Sequence, residues 1–186
     1  MILDATCSLR RLWPEYADVR MDINPAAKPD VVASCLDIPF GSGTFKMVYC
    51  DPPHLVGAGK VWRAQIMGKG NLGERFSAFD SMAAWREFAV KATAEFHRVL
   101  KPRGLLLWKL MDGSRSHGRV IDYKAVLGLP GFRLVEDIAV PSNGQMSRAN
   151  AKRWGTERSN VHYVTMERTA DTVEDILRLA RIRRLV

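Results

Sequence analysis

The sequence has few cysteines, no long apolar run, and no glycine in the segment that follows its first apolar stretch. The three cysteines, Cys7, Cys35 and Cys50, are too few for a disulfide framework and show no CxxC spacing, so we expect reduced thiols and no metal site. No apolar run approaches the roughly 20 residues of a membrane span, and the N-terminal residues lack the pattern of a secretory signal. These absences predict a soluble, cytoplasmic protein with no membrane partner.

The sequence does have enough apolar residues for one core, and it has an excess of positive charge. Of its 186 residues, 47% are hydrophobic, which suits a single compact domain. We predict that this domain spans 1–168 and that 169–186 contributes a C-terminal helix packed on it or extending from it. The formal net charge of +8 favours a polyanionic partner, although a basic solvated face would produce the same charge.

Short, nearly continuous apolar runs predict strands that are buried on both faces. The candidates are residues 1–5, 19–23, 30–36, 45–51 and 104–110. Apolar side chains at spacings of three and four predict a helix over 81–99, with Ser81 as its cap. Pro102 forbids continuation of this helix, and Gly104 is expected to turn the chain into the next strand.

The C-terminal third predicts an antiparallel pair followed by a helix. Residues 132–140 and 160–168 alternate between apolar and polar side chains, as the strands of a sheet edge do, and 171–184 has helical periodicity. We therefore predict a Rossmann-like α/β fold with a mostly parallel central sheet, an antiparallel hairpin at its edge, and helices on both faces.

Aspartates follow or close four successive apolar runs. They are Asp4, Asp22, Asp37 and Asp51. The carboxyl ends of parallel strands meet at one sheet edge, where α/β proteins bind ligands, although a single aspartate is also an ordinary strand-end residue. A carboxylate after the second strand can accept both hydroxyls of a ribose, and one after the third can accept the amino protons of adenine. We therefore predict an adenosine site formed by Asp22 with Ile23 and by Asp37 with Ile38.

The segment after the first strand, DATCSLRRLW at 4–13, contains no glycine. A GxGxxG turn, whose glycines let the backbone approach a pyrophosphate, is therefore excluded. This argues against NAD and FAD as cofactors and favours an adenosine cofactor that needs no phosphate grip.

The residues Asp51-Pro52-Pro53-His54 combine a carboxylate, two rigid prolines and an imidazole directly after an apolar run. Proline fixes φ at about −65° and has no N–H, so the backbone carbonyls here are held stiffly. A carboxylate and a rigid carbonyl can accept the two protons of an exocyclic NH2, while the imidazole lies against the base or hydrogen-bonds it. Preorganised groups of this kind contribute on the order of 3 kcal/mol to a transition state. A rigid turn that ends a buried strand is the alternative.

These residues, with MDIN at 21–24 and LDIPF at 36–40, resemble the (D/N/S)PP(Y/F/W/H) amino-methyltransferases of the class I S-adenosylmethionine-dependent type. Together with 29–60, RVLKPRGLLLWK at 98–109 and SNVHY at 159–163, they are similar in particular to small methyltransferase-like proteins of phages and prophages. The resemblance implies a class I methyltransferase fold, S-adenosylmethionine as cofactor, and methyl transfer to a nucleobase amine, with adenine N6 favoured.

The resemblance also assigns roles by position. The implied catalytic residues, around the target amine, are Asp51, Pro52, Pro53 and His54. The implied cofactor contacts are Asp4, Ala5, Cys7, Arg10, Asp22, Ile23, Asp37, Ile38 and Asp51. This chain departs from the related proteins in the first turn, where they often read Gly-Ser before the arginine and it has Ser8-Leu9. A Cβ in that turn would crowd the carboxylate of the cofactor.

Two loop candidates, 55–80 and 141–159, interleave basic and aromatic side chains with glycine, asparagine and serine. Basic side chains can follow phosphates, and an aromatic ring can stack on an unpaired base. The predicted substrate contacts are Lys60, Trp62, Arg63, Lys109, Arg148, Lys152 and Arg153. A solvated charged loop is the alternative, and for Lys109 the alternative is a strand-end lysine that only reaches solvent.

DNA or RNA is the predicted partner. A base inside a duplex must be flipped out to react, and 186 residues leave no room for a separate recognition domain. We therefore expect modest sequence specificity, or recognition through a homodimer or another subunit. A methyltransferase acting on a small molecule or a protein amide, and a catalytically silent nucleic-acid-binding relative with a closed first turn, are the alternatives.

Overall fold

A computed structural model describes residues 1–8, 16–53, 55–56, 79–112, 119–120, 130–141, 160–170 and 172–182. The strands are β1 (Ile2–Asp4), β2 (Val19–Asp22), β3 (Val31–Val32), β4 (Phe45–Cys50), β5 (Leu55–Val56), β6 (Leu100–Asp112), β7 (Arg119–Val120), β8 (Phe132–Pro141) and β9 (Asn160–Arg168). The α-helices are α1 (Met82–Val99) and α2 (Val173–Ile182), and a short 3-10 turn spans Pro25–Ala27.

Seven of the strands form one sheet in the order β3-β2-β1-β4-β6-β9-β8. Strands β3, β2, β1, β4 and β6 are parallel, and β9 runs antiparallel between β6 and β8. Strands β5 and β7 form a separate antiparallel ladder. The order confirms the predicted α/β class and the antiparallel pair at the edge, and it brings the carboxyl ends of β1, β2, β4 and β6 to the same side of the sheet.

Helix α1 covers one face of the sheet. Its N-terminus is capped as predicted, because the hydroxyl of Ser81 accepts the backbone N–H of Ala84 at 3.1 Å. Phe96 on its inner side meets Trp108 of β6 edge to face, with ring centroids 5.7 Å apart. Burial of each such side chain contributes roughly 1.5–3 kcal/mol. Residues of α1 and β6 belong to the same buried cluster.

The chain leaves α1 through a reversal that differs from the prediction. Leu100 already has extended backbone and begins β6, and the residue in the left-handed conformation is Arg103, with φ 62°, and not Gly104. Gly104 is needed for space, since a Cβ there would lie 2.9 Å from the carbonyl oxygen of Lys101. The residues between Leu100 and Leu105 bulge out of register with β4. The predicted turn glycine therefore serves close backbone approach.

Strand β3 is shorter than predicted, because only Val31 and Val32 pair with β2. The N–H of Ala33 still donates to the carbonyl of Asp22 at 3.1 Å, but the chain then turns, and the N–H of Asp37 donates to the carbonyl of Ser34 at 3.0 Å. Asp37 thus lies in a turn. The prediction that it directly follows a strand was wrong.

Helix α2 corresponds to the predicted C-terminal helix and contacts α1. Ile176 is fully buried, and Gly131, which has φ 86°, lies so close to it that no side chain would fit at that position. The two described α-helices therefore belong to one layer. Whether helices cover both faces depends on residues outside the described ranges. Within those ranges, no helix is long and apolar enough to cross a membrane. The two predicted basic loops lie almost entirely outside them.

Candidate active site

Three of the four predicted carboxylates meet at the carboxyl edge of the sheet. Asp4 ends β1, Asp22 ends the neighbouring β2, and Asp51 directly follows β4 on the other side of β1. The pKa of Asp4 is raised to about 6, mainly by burial and further by the negative charges of Asp51 and Asp22, although a hydrogen bond from the N–H of Thr6 opposes the rise. The three groups therefore interact electrostatically, which makes this edge a site for a cationic or hydroxyl-bearing ligand.

Two backbone donors hold the carboxylate of Asp22. The N–H of Ser8 donates to Oδ2 at 2.9 Å and the N–H of Asn24 donates to Oδ1 at 2.8 Å. A carboxylate has about four lone-pair positions, so each oxygen can still accept a ligand hydroxyl. Ile23, which follows, is 72% exposed. Asp22 is thus a fixed acceptor with an exposed apolar side chain beside it.

The first turn contains a strained residue. Ser8 has φ 54°, in the left-handed region that glycine adopts freely and that costs other residues about 1–2 kcal/mol. Ala5 and Cys7 before it are buried, and the N–H of Cys7 donates to the carbonyl of Met21 at 3.0 Å. The difference from the sequences that this chain resembles therefore lies where the backbone itself favours glycine. Arg10 lies outside the described residues.

The other predicted adenine contacts are not at the strand edge. Asp37 is exposed in its turn, and the side chain of Ile38 is only 2% exposed and packs in the core. Ser34, two residues beyond β3, occupies the position after the strand that the sequence had given to Asp37. The polar Ser34 within the apolar run was the signal for this earlier strand end.

A salt bridge on α1 holds the segment that contains Ile38. Arg98 donates to the carbonyl of Ile38 at 2.8 Å and to that of Phe40 at 2.7 Å, and it pairs with Glu95 at 2.7 Å. Glu95 in turn accepts the N–H of Ile38 at 3.0 Å. Burial raises the pKa of Glu95, but the hydrogen bonds from Arg98 and from the N–H of Ile38 hold this pKa below its usual value. The sequence did not predict this clamp, which joins residues 57 to 60 positions apart.

Asp51 is held at two points. Its N–H donates to the hydroxyl of Thr6 at 2.7 Å, and Nζ of Lys109 donates to its Oδ2 at 2.7 Å. The side chains of Lys109 and Asp51 are only 18% and 15% exposed. Removal of one partner from a fully buried pair costs about 3–5 kcal/mol, so this shielded pair lies nearer to that range than to the value of a surface pair. Lys109, predicted as a substrate contact, therefore first contacts the predicted catalytic carboxylate.

Alternation along β9 separates two neighbouring residues. His162 is 4% exposed and its Nδ1 lies 2.9 Å from Oδ1 of Asp137, whereas Tyr163 pairs with Lys109 in the β6–β9 register. Directly paired residues share one face of a sheet, so Tyr163 lies on the face that carries Lys109. The sequence did not single out Tyr163, because the period of two along this strand separates it from His162 but does not give the register of β9 against β6.

Several predicted site residues lie outside the described residues. They are His54, Lys60, Trp62, Arg63, Arg148, Lys152 and Arg153. Of the described part of the DPPH motif, Pro52 is buried and Pro53 partly buried. In the described ranges, no group of His, Cys, Asp and Glu side chains is placed to hold a metal ion.

No protein-family model and no curated protein sequence matches the chain. Among solved structures, it is similar to the [4+2]-cyclase SpnF, with 12% identity and a TM-score of 0.57 over 91% of this chain and 74% of SpnF. A SAM-dependent methyltransferase from Methanosarcina mazei has 10% identity and a TM-score of 0.53 over 91% of this chain and 92% of its own. Geranyl diphosphate methyltransferase, in complex with GPP and sinefungin, has 9% identity and a TM-score of 0.53 over 90% of this chain and 70% of its own. The chain therefore has the Rossmann-like fold of S-adenosylmethionine-dependent methyltransferases.

Proposed function

We propose that this protein is an S-adenosylmethionine-dependent methyltransferase that acts on an exocyclic amine of a nucleobase in DNA or RNA, with adenine N6 as the favoured acceptor. The observation that carries the proposal is the convergence of Asp4, Asp22 and Asp51 at one edge of a sheet with this strand order. Two of the similar structures are methyltransferases, and one of them is bound to sinefungin, an analogue of the cofactor.

The described residues fit the cofactor. Asp22 would accept the ribose hydroxyls, and the exposed Ile23 would lie against the adenine ring. The hydroxyl of Ser34, two residues beyond β3, would contact the edge of that ring. Asp4 is a buried carboxylate among like charges, so an α-ammonium group of the cofactor would compensate it. The bound cofactor would supply an electrophilic methyl group.

Asp51 and the prolines would orient the acceptor. A nucleobase NH2 would donate one N–H to the carboxylate of Asp51 and the other to a backbone carbonyl of the rigid Pro52-Pro53 segment. This turns the nitrogen lone pair out of conjugation and towards the methyl group. Because Asp51 is shielded from solvent and held by Thr6, these hydrogen bonds act in a low-dielectric site without reorganisation. After transfer, the nitrogen loses one proton to water.

The assignment to nucleic acid is supported by charge. The formal net charge of +8 includes basic side chains in the segment 55–80, which follows the DPPH residues, and in the segment 141–159, which precedes β9. Phosphate contacts by such side chains are independent of the nucleotide sequence. A homodimer or another subunit would add specificity.

Calorimetric titration with S-adenosylhomocysteine and transfer of tritiated methyl groups to single-stranded DNA, duplex DNA and RNA test the proposal. Asp22→Ala is expected to lose cofactor affinity, and Asp30→Ala, which removes a carboxylate before β3 at the opposite edge, is expected to keep it. Asp51→Ala is expected to keep cofactor affinity and lose methyl transfer by about 10²–10³-fold. Normal transfer by Asp51→Ala would show that the site assignment is wrong.

A small-molecule or protein-amide acceptor is the second candidate, because the similar geranyl diphosphate methyltransferase is named for a small molecule. It predicts activity that resists nuclease treatment and depends weakly on salt. The strained Ser8 turn favours a third candidate, a silent nucleic-acid-binding protein, which predicts nucleic-acid binding without cofactor binding.

A further inference from the structure

The lysine of β6 lies within the site and not at its rim. Lys109 is an interior residue of β6, and the pairing of Cys50 with Trp108 brings Lys109 alongside Asp51, the residue that follows β4. Its Nζ lies 2.7 Å from Oδ2 of Asp51. Both side chains are less than one-fifth exposed. The contact thus follows from sheet register and is shielded from solvent.

This contact completes a set of restraints on Asp51. The hydroxyl of Thr6, in the turn after β1, accepts its backbone N–H, while Lys109 of the adjacent β6 holds its carboxylate. Restraints from two strands that flank β4 fix both the position and the orientation of the carboxylate. An acceptor fixed in this way needs no rearrangement when a donor arrives, which is the condition under which hydrogen bonds lower a barrier most effectively.

We propose that Lys109 is a positioning residue for methyl transfer, acting through Asp51. The inference rests on the proposed function and deepens it. Lys109 keeps the carboxylate of Asp51 aimed at the place where the acceptor NH2 binds, and the N–H groups of the substrate use the remaining lone pairs of that carboxylate. The alternative role is a direct phosphate contact, for which Lys109 would have to leave Asp51. A shielded pair resists that step, because its separation leaves a carboxylate with little solvent around it.

Steady-state methyl transfer to heat-denatured DNA and to total RNA distinguishes the two roles. Lys109→Met is expected to lower kcat about 10–100-fold, with KM for nucleic acid and affinity for S-adenosylhomocysteine unchanged. Lys109→Arg is expected to recover part of kcat. Lys101→Met is the matched control, since Lys101 is an exposed lysine of the same strand, and it is expected to behave as the wild type.

A cycle with Asp51→Asn tests whether Lys109 acts through Asp51. An amide needs no counter-ion, so Lys109→Met added to Asp51→Asn is expected to lower kcat no further than Asp51→Asn alone. A fully additive loss would overturn the inference. A rise in KM with a flatter salt dependence in Lys109→Met would also overturn it, in favour of a phosphate contact.

Urea unfolding separates failure of the inference from failure of the proposed function. It is measured on the wild type, Lys109→Met, Asp51→Asn and the double variant. Coupling between Asp51→Asn and Lys109→Met in stability is expected, and its absence would overturn the pairing whatever the acceptor is. Wild-type protein that binds S-adenosylhomocysteine but methylates none of the nucleic acids would overturn the proposed function and, with it, this role of Lys109. Wild-type transfer that Lys109→Met leaves intact would overturn the inference alone.

Discussion

The backbone N–H of Ser8 donates to Oδ2 of Asp22 at 2.9 Å, and Ser8 makes this contact from a left-handed backbone conformation. The first turn is therefore tied directly to the carboxylate proposed to hold the ribose. A turn that orients a ligand-binding carboxylate has a restricted backbone, and here a residue with a Cβ adopts the conformation that glycine adopts at little cost. The strain and the site belong to the same few atoms.

Ser8→Gly is expected to raise the free energy of unfolding by about 0.5–1 kcal/mol, because relief of the left-handed strain exceeds the added entropy of the unfolded chain. It keeps the N–H that binds Asp22 and removes the Cβ that would crowd the carboxylate of the cofactor. We therefore also expect affinity for S-adenosylhomocysteine to increase. Lys28→Gly is the matched control, since Lys28 has φ 50° at the end of the 3-10 turn. It is expected to give similar stabilisation with unchanged affinity. Equal affinity in both variants would show that the Cβ of Ser8 does not restrict the cofactor.

Asp4→Asn is expected to stabilise the protein increasingly as pH rises. The pKa of Asp4 is about 6 in the folded protein and 3.8 as the ordinary value, so the unfolded chain loses this proton first. Stability from Asp4 is therefore complete below about pH 4, falls as pH rises to about 6–7, and stays lower above that, by about 3 kcal/mol. Asparagine does not ionise, so urea unfolding of the two proteins is expected to agree at pH 4 and to differ most at pH 7–8.

The same ionisation would couple Asp4 to binding of the proposed cofactor. A cationic ligand group beside Asp4 favours the ionised carboxylate, so binding of S-adenosylhomocysteine near pH 6 is expected to release protons and to strengthen up to about pH 7. Asp22 and Asp51 raise the pKa of this carboxylate and Arg20 lowers it. These charges act on Asp4 in both the free and the ligand-bound protein. Calorimetry in buffers of different ionisation enthalpy measures the release, and equal release by Asp4→Asn would assign it to another group.

Arg98→Met is expected to destabilise the protein by about 1–3 kcal/mol. It removes two hydrogen bonds to the carbonyls of Ile38 and Phe40 and leaves Glu95, which is 21% exposed, without its cation. Arg98→Lys is expected to recover only part, because an ammonium cannot reproduce the planar fork. Lys91→Met on the same helix breaks only the exposed pair with Glu87 and is expected to change stability by less than about 0.5 kcal/mol. Equal losses for Lys91→Met and Arg98→Met would contradict the clamp.

The sequence predicted the elements whose signals are local. Continuous apolar runs identified β1, β2 and β4, and helical spacing with Ser81 identified α1 within one residue. The errors occur where backbone contacts decide the structure. Gly104 was predicted to provide the turn because glycine commonly does so, but a clash with the carbonyl of Lys101 explains the glycine and Arg103 makes the turn. Likewise, Cys35 is buried without being in a strand, so its apolar character extended the predicted β3 too far.

Contacts between distant residues could not be predicted from single elements. Asp51 and Asp22 were identified because each follows its strand, but the contact between Lys109 and Asp51 depends on the register of β4 against β6 across 58 positions. That register is set by the packing of both strands and by the bulge after Leu100, neither of which a local pattern encodes. The same reason explains why the clamp of Glu95 and Arg98 was missed.

Strand β9 inserts between β6 and β8, so the apolar centre of the sheet is completed by a segment that follows β6 by about fifty residues in the chain. Until β9 is synthesised, β6 has one unpaired edge, and the run Leu105–Leu110 displays its backbone donors and acceptors to other chains. A ribosome-bound intermediate that ends before Asn160 therefore exposes an aggregation-prone edge, and folding of the whole sheet awaits the C-terminal quarter of the chain. Protection of this edge thus depends on the strand order, and it is complete only when β9 pairs with β6.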